Sequence, residues 1–409
     1  MELVEINKEE FNDLAENFTC KNFFQTSNMG SSLEGRGKKV YYLALKNNEN
    51  LKALTMIYEG TIFLRKKEFI CLKGFLTDYN NFEVVKEFSE KLLDFVIKHN
   101  GYKLTIDPYI IEAQRDIDGK IVENGNNNYK VIEYLKELGY TKSKVDTQVR
   151  YNFCLDLENK TKEEIFKNFK QNTRNLINRA LREGVEITNL KYEELPTFKQ
   201  ITEETCKRRG FPDKSLEYYQ SMYKAFQDKV VFKLARLNIN KHLEYLNNLK
   251  KDYEEKISKI QGSNKKKDNY EFELNNVKKK IEKAQNLPND NGYLNLAASM
   301  FMLYGTETIY LFSGSNDLYN EYGGPYLIQW DIIEYAIENK YKRHNFFGIL
   351  NYDDPNSKDY GVYLFKKGFN GYVEELIGEY YICSNSLASE VYKLKNKIRW
   401  ENEIYRKCW

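Results

Sequence analysis

A few isolated polar residues stand where predicted strands and helices end. Asp107 precedes a proline after an apolar strand pattern, Arg208 closes a helix pattern, and Lys366 lies in the string "LFKKGF". A carboxylate could accept a proton, a guanidinium could bind phosphate, and an ammonium could stabilise an oxyanion. Each has a structural alternative, because Asp-Pro is typical of turns and cations at helix C-termini complement the helix dipole.

The sequence gives no sign of covalent catalysis or of a metal centre. Its three histidines, His99, His242 and His344, are far apart, and its six cysteines form no Cys-x-x-Cys pair. This spacing does not match Ser/His/Asp, Cys/His or zinc-binding patterns. We therefore expect no metal and no cofactor, and we expect free thiols, as in a reducing cytoplasm.

The bulk composition is that of an ordinary globular protein. The chain has 409 residues, 41% hydrophobic and 30% charged, which is enough for a real core and for two domains. A net charge of +3 does not require a nucleic-acid partner, so only local clusters of basic residues could indicate nucleic-acid binding. The N-terminus lacks the features of a signal peptide, and no run is long enough to span a membrane.

The elements that must position the polar residues form an alternating strand and helix pattern that occurs twice. We predict an α/β (α+β) fold in which each copy is a mixed sheet with helices on its faces. The first domain is expected over residues 1–146 and the second over 147–382, with 383–409 available to pack back on the first. The main strand patterns lie at 40–46, 51–60, 102–110, 147–158, 229–237, 293–304 and 343–349.

Residues 241–288 interrupt the second copy with a different periodicity. Apolar residues recur every three or four positions on both sides of "GSNKKKDN", which predicts an antiparallel coiled-coil arm. Residues 241–287 hold 12 Lys against 8 Asp and Glu, an excess of four positive charges. A solvated, weakly basic coiled coil explains this charge; an arm that touches a polyanion is the functional alternative.

The stretch "YLFSGSNDLYNEYGGPYLIQW" predicts a strand, a turn and a helix start at residues 310–330. Acetyltransferases hold the pyrophosphate of coenzyme A at a strand–turn–helix joint of this kind, with a Gln/Arg-x-x-Gly-x-Gly/Ala turn. Here the leading Gln or Arg is absent, and Pro325, which has no N–H, replaces the last small residue. We therefore expect a different ligand at Tyr322 and Gly323.

Several longer strings resemble the Fem family of aminoacyltransferases over nearly the whole chain. The resemblance implies two acetyltransferase-like (GNAT) domains and transfer of an amino acid from aminoacyl-tRNA to the stem peptide of a peptidoglycan precursor. No covalent enzyme intermediate is needed for this reaction. The strings are "FFQTS", "LTIDP", "FKNFKQNTRNLINRALREGVEI", "CKRRGF", "LFSGS…EYGGPYLIQWDIIEYAIENKY…NFFGI" and "GVYLFKKGFNGYVEELIGEYY".

The resemblance also implies roles for individual residues. Lys366 matches a lysine near the reacting carbonyl, Asp107 a carboxylate discussed as a base, and Glu379 an acidic residue near the acceptor amine. Arg208 matches the family's grip on the precursor's phosphates. A second phosphate contact, a lysine in the family, is missing from "QTSNMGSSLEGRGKK", where Arg36, Lys38 or Lys39 could replace it. Further substrate contacts are expected at Phe365, Lys367, Tyr322 and Gly323.

The family's tRNA contact is expected on the arm and on a basic helix. "TKEEIFKNFKQNTRNLINRALREG" predicts one long helix over 161–184, on which Lys167, Lys170 and Arg174 form a stripe. An amphipathic solvated helix is the structural alternative. On the arm, the expected contacts are Lys265, Lys266 and Lys267.

These inferences predict a cytoplasmic enzyme, a monomer or homodimer, that uses Gly-, Ala- or Ser-tRNA. Its second substrate is lipid II or the UDP-linked MurNAc-pentapeptide, with peripheral membrane association as a further expectation. Two other functions stay open. One is a coenzyme A-dependent N-acyltransferase on the same fold, and the other is a non-catalytic scaffold that binds a partner through the arm.

Overall fold

The computed structural model describes residues 1–392 and 394, except residues 20 and 263. Cys20, Cys408 and the end of the C-terminal segment therefore lie outside the described residues. In the described part the chain forms 15 strands and 12 α-helices. The strands are β1 Glu2–Glu5, β2 Val40–Asn47, β3 Asn50–Phe63, β4 Lys66–Leu72, β5 Gly101–Asp107, β6 Ile111–Gln114, β7 Thr141–Lys142, β8 Tyr151–Asp156, β9 Val185–Asn189, β10 Val230–Asn238, β11 Tyr293–Tyr304, β12 Glu307–Ser315, β13 Arg343–Gly348, β14 Tyr372–Leu376 and β15 Tyr380–Cys383.

The helices separate or flank these strands, and several begin with side-chain caps. Thr161, for example, forms a capping box with Glu164. The helices are α1 Lys8–Ala15, α2 Ser27–Glu34, α3 Phe82–Lys98, α4 Tyr129–Glu137, α5 Lys162–Asn168, α6 Gln171–Arg182, α7 Leu195–Arg209, α8 Leu216–Phe226, α9 Ile239–Ser258, α10 Lys265–Gln285, α11 Gly324–Glu338 and α12 Tyr360–Lys367.

Two mixed sheets organise the molecule, which confirms the predicted α/β architecture. The first sheet has the order β1-β2-β3-β4-β5-β15-β7, and the second has the order β6-β14-β8-β13-β12-β11-β10-β9. Each sheet contains one parallel pair, β4 with β5 and β12 with β13, among antiparallel neighbours. The same local topology therefore occurs in both halves.

The two halves exchange strands. β6, from the first half of the sequence, pairs with β14 in the second sheet, and β15, from the end of the chain, lies between β5 and β7 in the first. The described part of the C-terminal segment continues this contact, because the Ser384 N–H donates to the Tyr102 carbonyl at 2.9 Å. A hydrophobic cluster also joins the halves, with Phe23 and Leu54 packed in the same core as Phe232.

Residues 161–184 form two helices, α5 and α6, whereas the sequence pattern predicts one. Phe169 is buried and extended, with φ −61° and ψ 152°, and its ring packs edge-on against Trp330 at 5.5 Å. The Lys170 N–H then donates to the Gly368 carbonyl instead of continuing the helix. Tertiary packing of one aromatic residue thus overrides a continuous helical periodicity.

Helices α9 and α10 form a helical hairpin that leaves the second sheet after β10 and returns to it at β11. Tyr253 and Tyr270 face each other across the hairpin with ring centroids 6.0 Å apart. Near its base His242 is buried; its Nδ1–H donates to the Glu183 carbonyl at 3.0 Å, and its ring packs edge-on against Tyr322. Within the described residues, no helix combines the length and apolarity needed to cross a bilayer.

Candidate active site

A cavity of about 720 Å³ opens in the second half of the molecule. Its walls come from the C-terminal part of α7, the end of β12, the start of α11, and α12. It lies beside the parallel pair of β12 and β13, close to the joint that the sequence singled out. The lining includes Ser299, Tyr310, Ser313, Gly314, Phe365 and Lys366.

The backbone of β13 positions Lys366. Phe347 has a left-handed φ of 61°, and the register of β13 against β8 shifts between Asn345 and Gly348. This irregularity directs two carbonyl groups to one place, so the Lys366 Nζ donates to the oxygens of Phe347 at 3.3 Å and Gly348 at 2.5 Å. A bulge beside a site is a common way to aim backbone groups.

Lys366 is a cation in an apolar environment. It is 4% exposed, and no described carboxylate lies within 4.0 Å of its Nζ, which is 5.8 Å from the Tyr310 ring centroid. Burial lowers the pKa of Lys366 to about 7. The adjacent Phe365 ring packs edge-on against Tyr326 at 4.8 Å, which fixes the helix end that carries the lysine.

A buried neutral histidine supports this region. The His344 Nδ1 lies 2.7 Å from Thr308 Oγ1, and its Nε2 lies 3.0 Å from Gln329 Oε1. Since Gln329 Oε1 can only accept, Nε2 carries the proton and Nδ1 accepts from Thr308. Burial, together with the charge of Lys366, lowers the pKa of His344 to about 3. The imidazole is therefore a fixed structural partner of α11 and β13.

Arg208 and Arg209 end α7 but differ in their surroundings. Arg208 Nε lies 2.7 Å from Asp317 Oδ2, and its Nη2 donates to the Ser315 carbonyl at 3.1 Å. Arg209 lines the cavity, and no carboxylate of the described residues lies within 4.0 Å of it. Arg209, which the sequence analysis did not select, therefore carries the less neutralised positive charge. Strand and helix periodicity alone gave no signal to choose between them.

Asp107 lies one layer behind the cavity wall. Its carboxylate is 2.7 Å from Lys73 Nζ, and both side chains are buried. Burial raises the pKa of Asp107, while the charge of Lys73 opposes this rise. Lys73 also donates to the Val149 carbonyl at 3.3 Å. The Val149 side chain lines the cavity and lies against Gly348, whose carbonyl binds Lys366.

Glu379 lies away from the cavity lining, directly before β15. Its carboxylate accepts from the Ser143 hydroxyl at 2.7 Å and from both the N–H and the hydroxyl of Thr147. Its own N–H donates to Asp146 at 2.7 Å. These bonds tie β15 to the chain segment that follows β7. The charge of Glu379 also acts on Asp107, so the two carboxyl groups belong to one electrostatic cluster.

Arg36 is the predicted first-half cation that comes nearest to the cavity wall. Its guanidinium lies 4.9 Å from the Tyr218 ring centroid, and Tyr218 packs edge-on against Phe312, which lines the cavity. Lys38 is exposed at the end of the same turn. Lys367 pairs with Asp118 and does not line the cavity.

The structure does not bring Tyr322 and Gly323 to the cavity. Tyr322 is buried against His242, and a Cβ on Gly323 would lie 2.8 Å from the Leu176 carbonyl of α6. Gly323 has φ 71°, and a Cβ on Gly324 would lie 2.9 Å from Leu296. The two glycines therefore let α11 start close to α6 and the sheet.

The same joint does not fit the pyrophosphate of coenzyme A, which acetyltransferase folds hold there. Pro325 has no N–H, and the next two N–H groups, of Tyr326 and Leu327, both donate to the Gly323 carbonyl at 3.1 Å. Two of the first-turn amides that would bind a phosphate, those at positions 325 and 326, are thus missing or in use. In the described part of the chain, no three His, Cys, Asp or Glu residues cluster as metal ligands would.

The predicted polyanion contacts lie outside the cavity. Arg174 donates to the Lys167 carbonyl across the break between α5 and α6, and Lys170 occupies the N-cap position of α6 without a side-chain capping bond. The residues Lys265, Lys266 and Lys267 form the first turn of α10, where the Asn264 side chain accepts from the N–H groups of Lys266 and Lys267.

Comparison with known proteins places this chain in one family. The FemAB family model matches residues 6–397. "Aminoacyltransferase FemA" of Staphylococcus epidermidis is 29% identical over 421 residues, covering 98% of this chain and all of that protein. The crystal structure of FemX superposes with a TM-score of 0.72 at 21% identity, covering 96% of this chain and 99% of the other.

A tandem GNAT protein from the clavulanic acid biosynthesis pathway shares the fold with a TM-score of 0.50 at 8% identity, covering 94% and 99% of the two chains. The predicted acetyltransferase-like fold agrees with both structures. The predicted enzyme class, an acyltransferase, is confirmed by the relatives. The chain belongs to the FemAB family.

Proposed function

We propose that the protein transfers Gly, Ala or Ser from aminoacyl-tRNA to the stem-peptide amine of a peptidoglycan precursor. The observation that carries this proposal is Lys366, a buried lysine on the lining of the cavity with no carboxylate beside it in the described residues. Aminoacyl transfer builds negative charge on the carbonyl oxygen, which such a cation stabilises.

The step needs no covalent enzyme intermediate. The neutral acceptor amine attacks the ester carbonyl, a C–N bond forms, and the C–O bond to the ribose breaks. The proton of the amine ends on the ribose oxygen, either directly or through Asp107 in the adjacent layer. Lys366 binds the oxyanion between these events, and the cavity holds the reacting groups together.

The remaining groups serve binding in this proposal. Arg209, with Arg208 and Arg36 nearby, holds phosphate of the precursor or of the tRNA acceptor end. The hairpin of α9 and α10, a basic coiled-coil arm, contacts the tRNA backbone together with Lys167, Lys170 and Arg174. Phosphate contacts position a nucleic acid without reading its sequence.

We also propose that the protein acts in the cytoplasm, as a monomer or homodimer, and meets lipid-linked precursor by peripheral membrane association. Charged tRNA and UDP-linked or lipid-linked precursors are available together on that side of the membrane. A coenzyme A-dependent reaction is the second candidate on this fold, but the amides at the start of α11 argue against it.

The test is transfer of label from charged tRNA. Purified protein is mixed with lipid II or with the UDP-linked precursor, containing lysine or diaminopimelate, and with radiolabelled Gly-, Ala- or Ser-tRNA in separate reactions. Label from one tRNA in the muropeptide is expected. No label from any tRNA, together with saturable acetyl-coenzyme A binding, would replace this proposal by the acyl-coenzyme A enzyme.

A further inference from the structure

Phe211 is an aromatic residue to which the proposed reaction gives no role. It lines the cavity, yet it is 51% exposed. The nearby rings of Tyr218, Tyr219 and Phe312 pack on one another at centroid distances of 5.7 to 5.8 Å. Within the described chain, no aromatic ring lies against Phe211. The exposed part of this ring, on the cavity wall, is free to receive a flat ligand.

The loop that carries Phe211 is held at both ends. Gly210 is left-handed with φ 79°, and the N–H groups of Gly210 and Phe211 both donate to the Cys206 carbonyl, at 2.8 and 3.1 Å. Two residues later, Asp213 accepts from the Tyr219 hydroxyl at 2.6 Å and the Thr202 hydroxyl at 2.8 Å. A ring on such a loop is pre-organised, which reduces the entropy lost on binding.

The charge around the ring is positive. Lys207, Arg209 and Lys214 are exposed within four residues of Phe211, and Arg208, also exposed, is paired with Asp317. The acidic residues nearby are already paired: Asp213 with Lys199 at 2.9 Å, and Asp317 with Arg208. An open aromatic face among cations fits a ligand that carries a flat ring and phosphate.

We propose that Phe211 stacks on an unpaired nucleobase of a substrate nucleotide while the neighbouring cations hold its phosphate. This inference rests on the proposed function, which offers two such bases. One is the 3′-terminal base of the aminoacyl-tRNA, and the other is the uracil of a UDP-linked precursor. Neither base is paired, so each exposes a face to an aromatic side chain.

The first experiment measures stacking directly. A charged RNA minihelix with 2-aminopurine as its 3′-terminal base is titrated with wild-type protein, Phe211→Leu, Phe211→Trp and the control Tyr129→Leu, which alters an aromatic residue that is 41% exposed and does not line the cavity. Wild type, Phe211→Trp and Tyr129→Leu should quench the fluorescence. If the stacked base is that of the tRNA, Phe211→Leu should lose the quenching and bind the minihelix about ten-fold more weakly, the typical loss of one base–aromatic stack.

The second experiment separates the two bases. Affinities of the wild type and Phe211→Leu are compared for the UDP-linked precursor and for lipid II, which has no uridine. A loss confined to the minihelix assigns the tRNA base, and a loss confined to the UDP-linked precursor assigns uracil; either supports the stacking role. Unchanged affinity and quenching for all substrates overturns it.

The wild-type transfer assay keeps the two proposals distinguishable. In one outcome, the wild type transfers label from charged tRNA and the Phe211→Leu variant binds every substrate normally. This result removes the stacking role and leaves the proposed function. In the other outcome, the protein transfers nothing but still quenches the fluorescence in a way that depends on Phe211. This result removes the proposed function and leaves the nucleobase site.

Discussion

Lys366 and Lys367 are adjacent lysines with opposite surroundings. Lys366 is buried at the cavity with two carbonyl oxygens as its acceptors, whereas Lys367 pairs with Asp118 at the surface. Lys366→Met should lower kcat by about two to three orders of magnitude, because one oxyanion-stabilising group is removed. Precursor affinity, measured separately by calorimetry, should change little. The matched control Lys367→Met should retain turnover, and equal losses of turnover and affinity in Lys366→Met would contradict its assigned role.

The burial of Lys366 makes the free energy of unfolding depend on pH. The pKa of Lys366 falls to about 7 in the folded protein, against about 10.5 when unfolded, so the unfolded chain binds the extra proton between these values. Stability due to this group therefore rises with pH above about 7 and is constant below it. Relative to Lys366→Met, the free energy of unfolding of the wild type should increase by about 1.4 kcal/mol per pH unit from pH 7 to 9. Urea denaturation at several pH values measures this difference, and a flat difference would place the lysine in solvent.

At the scale of elements, the distance between α7 and β12 depends on Gly314. A Cβ there would lie 2.5 Å from the Ile201 carbonyl oxygen and 2.8 Å from Thr202 Cα, which are backbone atoms that cannot rotate away. Gly314→Ala should thus push α7 from the sheet and lower stability by about 1 to 3 kcal/mol. Gly361 also lines the cavity but has open space around it, so Gly361→Ala is the control. Thermal unfolding of both variants decides whether the packing matters.

The helical hairpin can be shortened without disturbing the core only if its base is kept. His242 and Leu246 are buried, as are Val277 and Ala284, so the base belongs to the folded body. We expect that replacing residues 250–273 by a short Gly-Ser turn leaves the unfolding transition intact. KM for charged tRNA should rise about ten-fold or more, since phosphate contacts dominate such affinity. Unchanged tRNA kinetics in this variant would leave the arm without a tRNA role.

Local patterns predict the elements well and their long-range partners poorly. The helix at Phe82–Lys98 follows from its apolar spacing, and the hairpin of β11 and β12 follows from two strand patterns around a turn. The break after Asn168 depends on what Phe169 meets in the core, which periodicity does not contain. For the same reason the sequence could not select Arg209 over Arg208, because the partner of Arg208 lies more than 100 residues away at Asp317.

At the scale of the whole molecule, the strand exchange couples the two halves. β15 lies between β5 and β7, with four residue pairs on β5 from Tyr380 to Cys383. β5 is fully buried along its length, so without β15 it would expose a polar backbone edge. The charge cluster of Asp107, Lys73 and Glu379 spans the same junction. Strand β15 and this charge cluster therefore join the two halves at the same place.

This linkage predicts that the first half does not fold alone. A fragment of residues 1–146 lacks β15, and a bare β5 edge invites aggregation. We expect this fragment to aggregate or to lack dispersed amide resonances, and a version with residues 377–392 fused after a flexible linker to regain them. As a matched control, the fusion with the β15 residues in scrambled order should not recover the dispersed resonances.

In the intact chain, calorimetry should show one cooperative transition, because the shared core of Phe23 and Phe232 joins both sheets. A well-folded monomeric 1–146 fragment would show instead that β15 is an accessory strand and that the halves are independent units.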